Sequence, residues 1–229
     1  MPEFRKHYYV WSNFVIPEKD NVTYIPCKWL GWPDETLRRY HRFLEQEDEL
    51  RQHKYLYFFN ANMAVEATVH ACEVLPIEGK RLVAAIHAQF WNHDSDNVQC
   101  RKAYIMYEQN PYSQAYISDQ ENHDYVMGGF NGGYTDDYLT MARCIRGMVE
   151  LDLAIGIVPK FHDESYMNKY AEVHPFRLLT PSYLYPEWWN IKDAERKIVL
   201  INKWAMANPR AFRESPTLRK RGLHDRLKN

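Results

Sequence analysis

Three absences frame this chain of 229 residues. No apolar run approaches the roughly 20 residues of a membrane-spanning helix. The opening MPEFRKHYYV holds neither an apolar signal core nor an anchor. The four cysteines, Cys27, Cys72, Cys100 and Cys144, are scattered without a CxxC pair. That spacing excludes zinc fingers and disfavours a disulfide framework. Glycine is scarce, with nine in all, and net charge is almost nil at −1. No repeat or low-complexity tract is visible. A soluble, cytoplasmic protein without a transmembrane segment is expected.

What is present suits one packed domain: 45% of residues are hydrophobic and 15% aromatic. The near-neutral total hides an uneven distribution. From Arg210 onward, Arg210, Arg213, Arg219, Lys220, Arg221, Arg226 and Lys228 face only Glu214 and Asp225, so this end carries +5 and the remainder −6. Such a tail is either a solvated end or a clamp for an anionic ligand. Nucleic acid is disfavoured as its partner, because no aromatics interleave the basic residues for base stacking.

Along the chain, Lys6 to Trp11 and Val22 to Pro26 read as strands, rich in aromatic and β-branched residues. From Pro33-Asp34 to about His53 the spacing of Leu37, Tyr40, Leu44 and Leu50 predicts one helix. Tyr55 to Phe59 is continuously apolar, as in a strand buried on both faces. Arg81 to His87 and Lys197 to Asn202 read as further strands. Thr135, followed by Asp136 and Asp137, is expected to cap a helix reaching about Asp152, and His162 to Glu172 reads as a shorter helix. Alternating strands and helices predict an α/β domain, with ligands beyond the carboxyl ends of the strands. That directs attention to the residues after Phe59 and His87.

Three clusters could carry chemistry. Asn60-Ala61-Asn62 follows the apolar strand; asparagines favour turns, yet amides here could also touch a ligand, without the charge that holds Mg²⁺ or Mn²⁺. Gly128-Gly129-Phe130-Asn131-Gly132-Gly133 concentrates four of the nine glycines. It is neither a dinucleotide fingerprint nor a P-loop, and reads as a plain turn or as a close backbone approach to a ligand. His162-Asp163-Glu164-Ser165 opens the short helix. Its acids suit the helix dipole, but neighbouring positions lie about 100° apart, so one can meet structure and the other substrate.

Taken in order, HYYVW at 7–11, YLYFFNANM at 55–63, PYSQAYI at 111–117, YVMGGFNGG at 125–133, FHDESYMNKY at 161–170 and LTPSYLYPE at 179–187 resemble glycosyltransferase family six. Its members include blood-group A and B transferases, the α-1,3-galactosyltransferase and bacterial relatives. The resemblance spans roughly residues 5–190. It implies a GT-A type, Rossmann-like α/β domain with a mixed sheet flanked by helices, lacking the usual first strand here. Residues 1–209 would form that domain, and 210–229 a basic segment closing over the donor.

The implied activity is retaining transfer of GalNAc or Gal, in α-1,3 linkage, from a UDP-sugar to a galactoside oligosaccharide or glycolipid. Asn60 and Asn62 look like the Asn-x-Asn variant of metal-independent bacterial members, so no divalent metal and no other cofactor is expected. Donor contacts are implied for Asn60, Asn62, Met127, Gly128, Gly129 and Asp163, with Lys203, Arg219, Lys220 and Arg221 meeting the diphosphate charge. Glu164 would lie under the anomeric carbon as nucleophile or stabiliser, and would also touch the acceptor, as would His87 and Phe161. A glycine at 129 leaves room for an N-acetyl group and favours GalNAc, whereas Met127 matches a galactose-specific member. The family's paired arginines are replaced by Gln109 and Asn110. A binding protein that kept the scaffold without catalysis is the alternative.

Overall fold

The structure is a computed structural model, and it describes residues 1–17, 19–91, 106–118 and 124–203. The main sheet has the order β3-β6-β5-β7, formed by Tyr55–Phe59, Val126–Tyr134, Leu82–Ile86 and Phe176–Leu179. β6 runs antiparallel to both β3 and β5, while β5 and β7 are parallel. The sheet is therefore mixed, and helices flank it. A small second sheet joins β4 (Met63–Val65), β9 (Ile198–Leu200) and β8 (Tyr185–Pro186). β1 (Tyr8–Ser12) and β2 (Val22–Pro26) form a separate parallel pair, and the short α4 (Ala71–Val74) precedes β5.

β5 is buried along its whole length, and its period of two divides the core. Leu82 and Ala84 face a cluster with Leu139, Met141, Ile145, Tyr166 and Met167. Val83 and Ala85 face the other, with Phe130, Leu179 and Leu184. On the first face lies α5 (Thr135–Ala154), whose buried Tyr138, Leu139, Met141, Ala142, Ile145 and Val149 repeat at helical spacing. Each such fully buried aliphatic side chain contributes about 1.5–3 kcal/mol. Beside α5 pack α2 (Arg39–Leu44) and α6 (Asp163–Ala171).

Four sequence expectations need correction. The single helix expected over 33–53 is three short ones, α1 (Asp34–Leu37), α2 and α3 (Glu47–Leu50). Breaks at Arg38 and Gln46 let Leu37, Tyr40, Phe43 and Leu50 all reach the same core. β3 is an edge strand with only Leu56 buried, since β6 pairs one side of it alone. Thr135 does not cap α5: Tyr134 takes that position, and the Thr135 hydroxyl donates to the His53 carbonyl at 2.5 Å. Finally, the glycine-rich cluster is a strand, not a turn. A side chain at Gly132 would overlap the Tyr57 ring and stand 2.5 Å from the Leu56 carbonyl, so close packing of β3 on β6 demands glycine there.

Candidate active site

The carboxyl ends of β3, β5 and β7 point the same way, and antiparallel β6 begins at that edge. Asn60 follows β3, His87 follows β5, and residues 126–129 open β6. Here β6 bulges: between Ala84 and Ile86 of β5, the partner steps from Asn131 to Val126. A bulge frees backbone groups from the ladder, and Gly128 uses that freedom. Its N–H donates to Glu164 Oε2 at 2.7 Å, and its carbonyl accepts from Arg39 and Asn131, each at 3.1 Å. Asn131 is fixed in turn by Tyr138, whose hydroxyl donates to it at 2.9 Å.

α6 brings the acids to the same place. His162, at its N-terminal boundary, has φ 51° and ψ −125°, a left-handed conformation that a non-glycine residue rarely adopts. The turn it makes sends Asp163 and Glu164 apart, as their helical phase requires. Glu164 also accepts from the Tyr125 hydroxyl at 2.6 Å through Oε1. Asn168, one turn on, locks α6 to β6 by donating to the Val126 carbonyl and accepting from the Val126 N–H, at 2.9 and 3.0 Å. Capping alone therefore does not account for this pair of acids.

Asp163 meets the Arg39 guanidinium at 2.6 Å. The same guanidinium nitrogen, which carries two hydrogens, also donates to the Gly128 carbonyl at 3.1 Å. Asp163 Oδ2 is buried and, among the described residues, its partner is the Arg39 charge rather than a directed hydrogen bond. Arg39 lies over the Phe58 ring, 4.1 Å from its centre.

Burial governs the electrostatics. It pushes the Asp163 carboxyl up, against the attraction of Arg39. Dense surroundings push Glu164 up to about 7, although its bonds from Gly128 and Tyr125 oppose the rise. Glu164 as a whole is half-buried. A carboxyl titrating there is available in both protonation states near neutrality. His87 and His162 are pushed down to about 4 by burial and are neutral.

The expected acceptor side is a wall of rings. Tyr125 lies 6.4 Å from Phe161 and 5.9 Å from His87, and His87 lies 6.3 Å from Trp189. Trp189 is exposed at the end of this row. The structure thus gathers Asp163, Glu164, Gly128, Phe161 and His87 at one edge of the sheet. Asn60 borders Gly129: its N–H donates to the Gly129 carbonyl at 3.0 Å, and its Nδ2 lies 3.0 Å from where a Cβ on Gly129 would stand. Met127 is half-buried in the second core cluster. Asn62 instead donates to the Ile201 carbonyl at 2.7 Å, joining the start of β4 to the end of β9. Lys203 is exposed two residues beyond Ile201. Arg219, Lys220 and Arg221 lie outside the described residues.

Sequence reading missed Arg39 and Tyr125. No local pattern marks Arg39, which enters the site only through the packing of α2. Tyr125 lies inside the YVMGGFNGG segment, and its place beside Glu164 follows from the pairing of β6 with α6.

A mixed sheet flanked by helices, with two crowded carboxylates and a freed glycine backbone at its ligand-binding edge, has the layout of a GT-A-like glycosyltransferase. The sequence profile of glycosyltransferase family 6 matches residues 31–211, and the chain belongs to that family. It is 29% identical over 208 residues to the O-antigen biosynthesis glycosyltransferase WbnI of Escherichia coli, covering 89% of this chain and 83% of WbnI. It is 32% identical over 160 residues to the histo-blood group ABO system transferase 1 of Rattus norvegicus, covering 68% of this chain and 42% of that protein. With the globoside alpha-1,3-N-acetylgalactosaminyltransferase 1 of Gallus gallus it shares 26% over 213 residues, 88% of this chain and 57% of that one. The chain thus spans about half the length of these two vertebrate relatives. Among the described residues no helix is long and apolar enough to cross a membrane.

Proposed function

We propose that this chain is a retaining hexosyltransferase that moves GalNAc, in preference to Gal, from a UDP-sugar to a galactoside oligosaccharide or glycolipid in α-1,3 linkage. The observation that carries the reading is the position of Glu164. It is held by the Gly128 amide and the Tyr125 hydroxyl, beside the Asp163–Arg39 pair, and Tyr125 in turn neighbours Phe161. Asp163 belongs to the donor side of the site by the family resemblance, with Arg39 favouring its ionised form. As the bond from the anomeric carbon to the UDP oxygen breaks, that oxygen keeps the electron pair and positive charge grows on the sugar. Glu164 meets this charge as nucleophile or as stabiliser. The acceptor oxygen forms the new bond to the anomeric carbon, and its proton passes to the departing UDP oxygen. Phe161 and His87 offer the acceptor an apolar face and a neutral imidazole.

In this reading no divalent metal takes part. The amides of Asn60 and Asn62 bring no charge, so the pair does not fit a cation held by carboxylates. The charge of UDP falls to Lys203 and to Arg219, Lys220 and Arg221 of the basic segment 210–229. The similarity to an Escherichia coli O-antigen transferase supports a bacterial-type, cytoplasmic setting.

The test is UDP release from UDP-GalNAc and UDP-Gal with galactoside acceptors, with and without EDTA, for the native chain and for Glu164→Gln. Acceptor-dependent turnover that resists EDTA and disappears in Glu164→Gln is the expected result. Donor binding without turnover in the native chain would sink the catalytic reading and leave a binding protein. Mass spectrometry for a glycosyl ester on Glu164 separates the two routes.

A further inference from the structure

We infer that Tyr125 is a positioning residue for Glu164: its hydroxyl holds Oε1 so that the carboxylate keeps one orientation toward the reacting sugar. The inference rests on the reading of Glu164 given above. Tyr125 is fully buried, and the next hydrogen-bonding group on its ring is the Glu164 carboxylate 2.6 Å away. Rings enclose it on several sides: Tyr107 at 5.5 Å, Phe90 at 5.8 Å, His87 at 5.9 Å and Phe161 at 6.4 Å. Its carbonyl accepts from the His87 N–H at 2.9 Å, so the backbone is tied to the end of β5. A phenol packed in this way has no alternative rotamer and presents its proton in a fixed direction.

The packing needs only the ring, which phenylalanine would supply. The hydroxyl therefore serves Glu164. With it, Oε1 is held by Tyr125 and Oε2 by the Gly128 amide, so the carboxylate plane is set by two donors from one segment of chain. Without it, one donor remains and the plane can turn. A carboxylate losing a donated hydrogen bond also binds its proton more tightly. The other groups acting on Glu164 are Asp163 from its own turn, and Arg39 and Tyr40 from α2. Asp163 raises the proton affinity of Glu164 and Arg39 lowers it. None of these changes when the Tyr125 hydroxyl is removed, so the shift can be assigned to that group.

The experiment measures pH profiles of kcat, acceptor KM and thermal melts for the native chain, Tyr125→Phe and Glu164→Gln. A second variant carries 3-fluorotyrosine at position 125, whose more acidic phenol is a stronger donor. Tyr125→Phe is expected to move the acidic limb of kcat upward by about one pH unit, with acceptor KM changed less than about threefold. The fluorotyrosine variant should move the limb downward. A limb that stays put in both variants overturns the inference, as does a rise in acceptor KM with kcat unchanged. If Tyr125→Phe fails to fold, the fluorotyrosine variant alone decides. Full turnover in Glu164→Gln would mean that the functional reading itself has failed, a result distinct from an unmoved limb.

Discussion

Arg39 of α2 and Asp163 of α6 stand 2.6 Å apart, and the same guanidinium nitrogen also donates to the Gly128 carbonyl on β6. One side chain thus joins the helix carrying the acids to the bulged strand that binds Glu164. The pair is nearly closed to solvent, with side-chain exposures of 13% and 6%.

Removing Arg39 should therefore cost both stability and activity. Arg39→Ala leaves a buried carboxylate without its counter-charge, a loss of about 3–5 kcal/mol. Arg39→Lys restores charge but not the planar face over the Phe58 ring, so it should recover part of the stability and less of the activity. Denaturant melts and kcat/KM measured together check this. Normal activity in Arg39→Ala would show that Asp163 needs no partner.

Gly129 offers a test of donor choice. A Cβ there would lie 3.0 Å from Asn60 Nδ2 and 3.3 Å from Leu184 Cδ1. Gly129→Ala must push the Asn60 amide or the Leu184 methyl by a few tenths of an ångström, narrowing the space beside the donor. The ratio of kcat/KM for UDP-GalNAc over UDP-Gal should fall by roughly tenfold, the scale of one unaccommodated small group in a pocket. An unchanged ratio would remove Gly129 from donor discrimination.

The glycines also separate packing from propensity. Gly132→Ala meets the Tyr57 ring and the Leu56 carbonyl and should lower stability by about 1–3 kcal/mol or more. Gly147, inside α5, has open space where a Cβ would stand. Gly147→Ala should therefore stabilise by about 0.5–1 kcal/mol. Chemical denaturation of the two variants should give opposite signs, and equal signs would contradict the packing argument.

These positions also show what the sequence makes legible. The fully apolar β5 and the periodic α5 were readable because one repeat dominates each. β6 was not, since glycine is poor in strands; Gly132 and Gly133 are required by the Tyr57 ring and the Arg81 carbonyl, neither of which is local information. The acids 163 and 164 stood out through the family resemblance, and their divergent directions followed from helical phase. Asn62 was foreseen as a donor contact, and its observed bond to Ile201 depends on the distant return of β9. Arg39 carried no signal because its role arises only where α2, α6 and β6 converge.

Glu164 gives the last prediction through its linkage to pH. Its pKa is raised to about 7 in the fold, chiefly by desolvation, from an ordinary 4.5. A carboxyl with a raised folded pKa holds its proton more tightly when folded than when unfolded. Its contribution is fully present below the unfolded pKa, and is lost as pH rises from about 4.5 through about 7. Above that window the charged, crowded carboxylate is a burden of up to about 3 kcal/mol. Glu164→Gln removes the charge and keeps the shape. Its carbonyl can accept from the Gly128 N–H while its amide donates to the Tyr125 hydroxyl, which can act as acceptor. The variant should therefore melt higher than the native chain at pH 8, match it near pH 4, and lack transfer activity. Thermal melts across that range read the difference directly. A variant less stable at pH 8 than at pH 4, relative to the native chain, would mean that Glu164 is stabilised in its charged form.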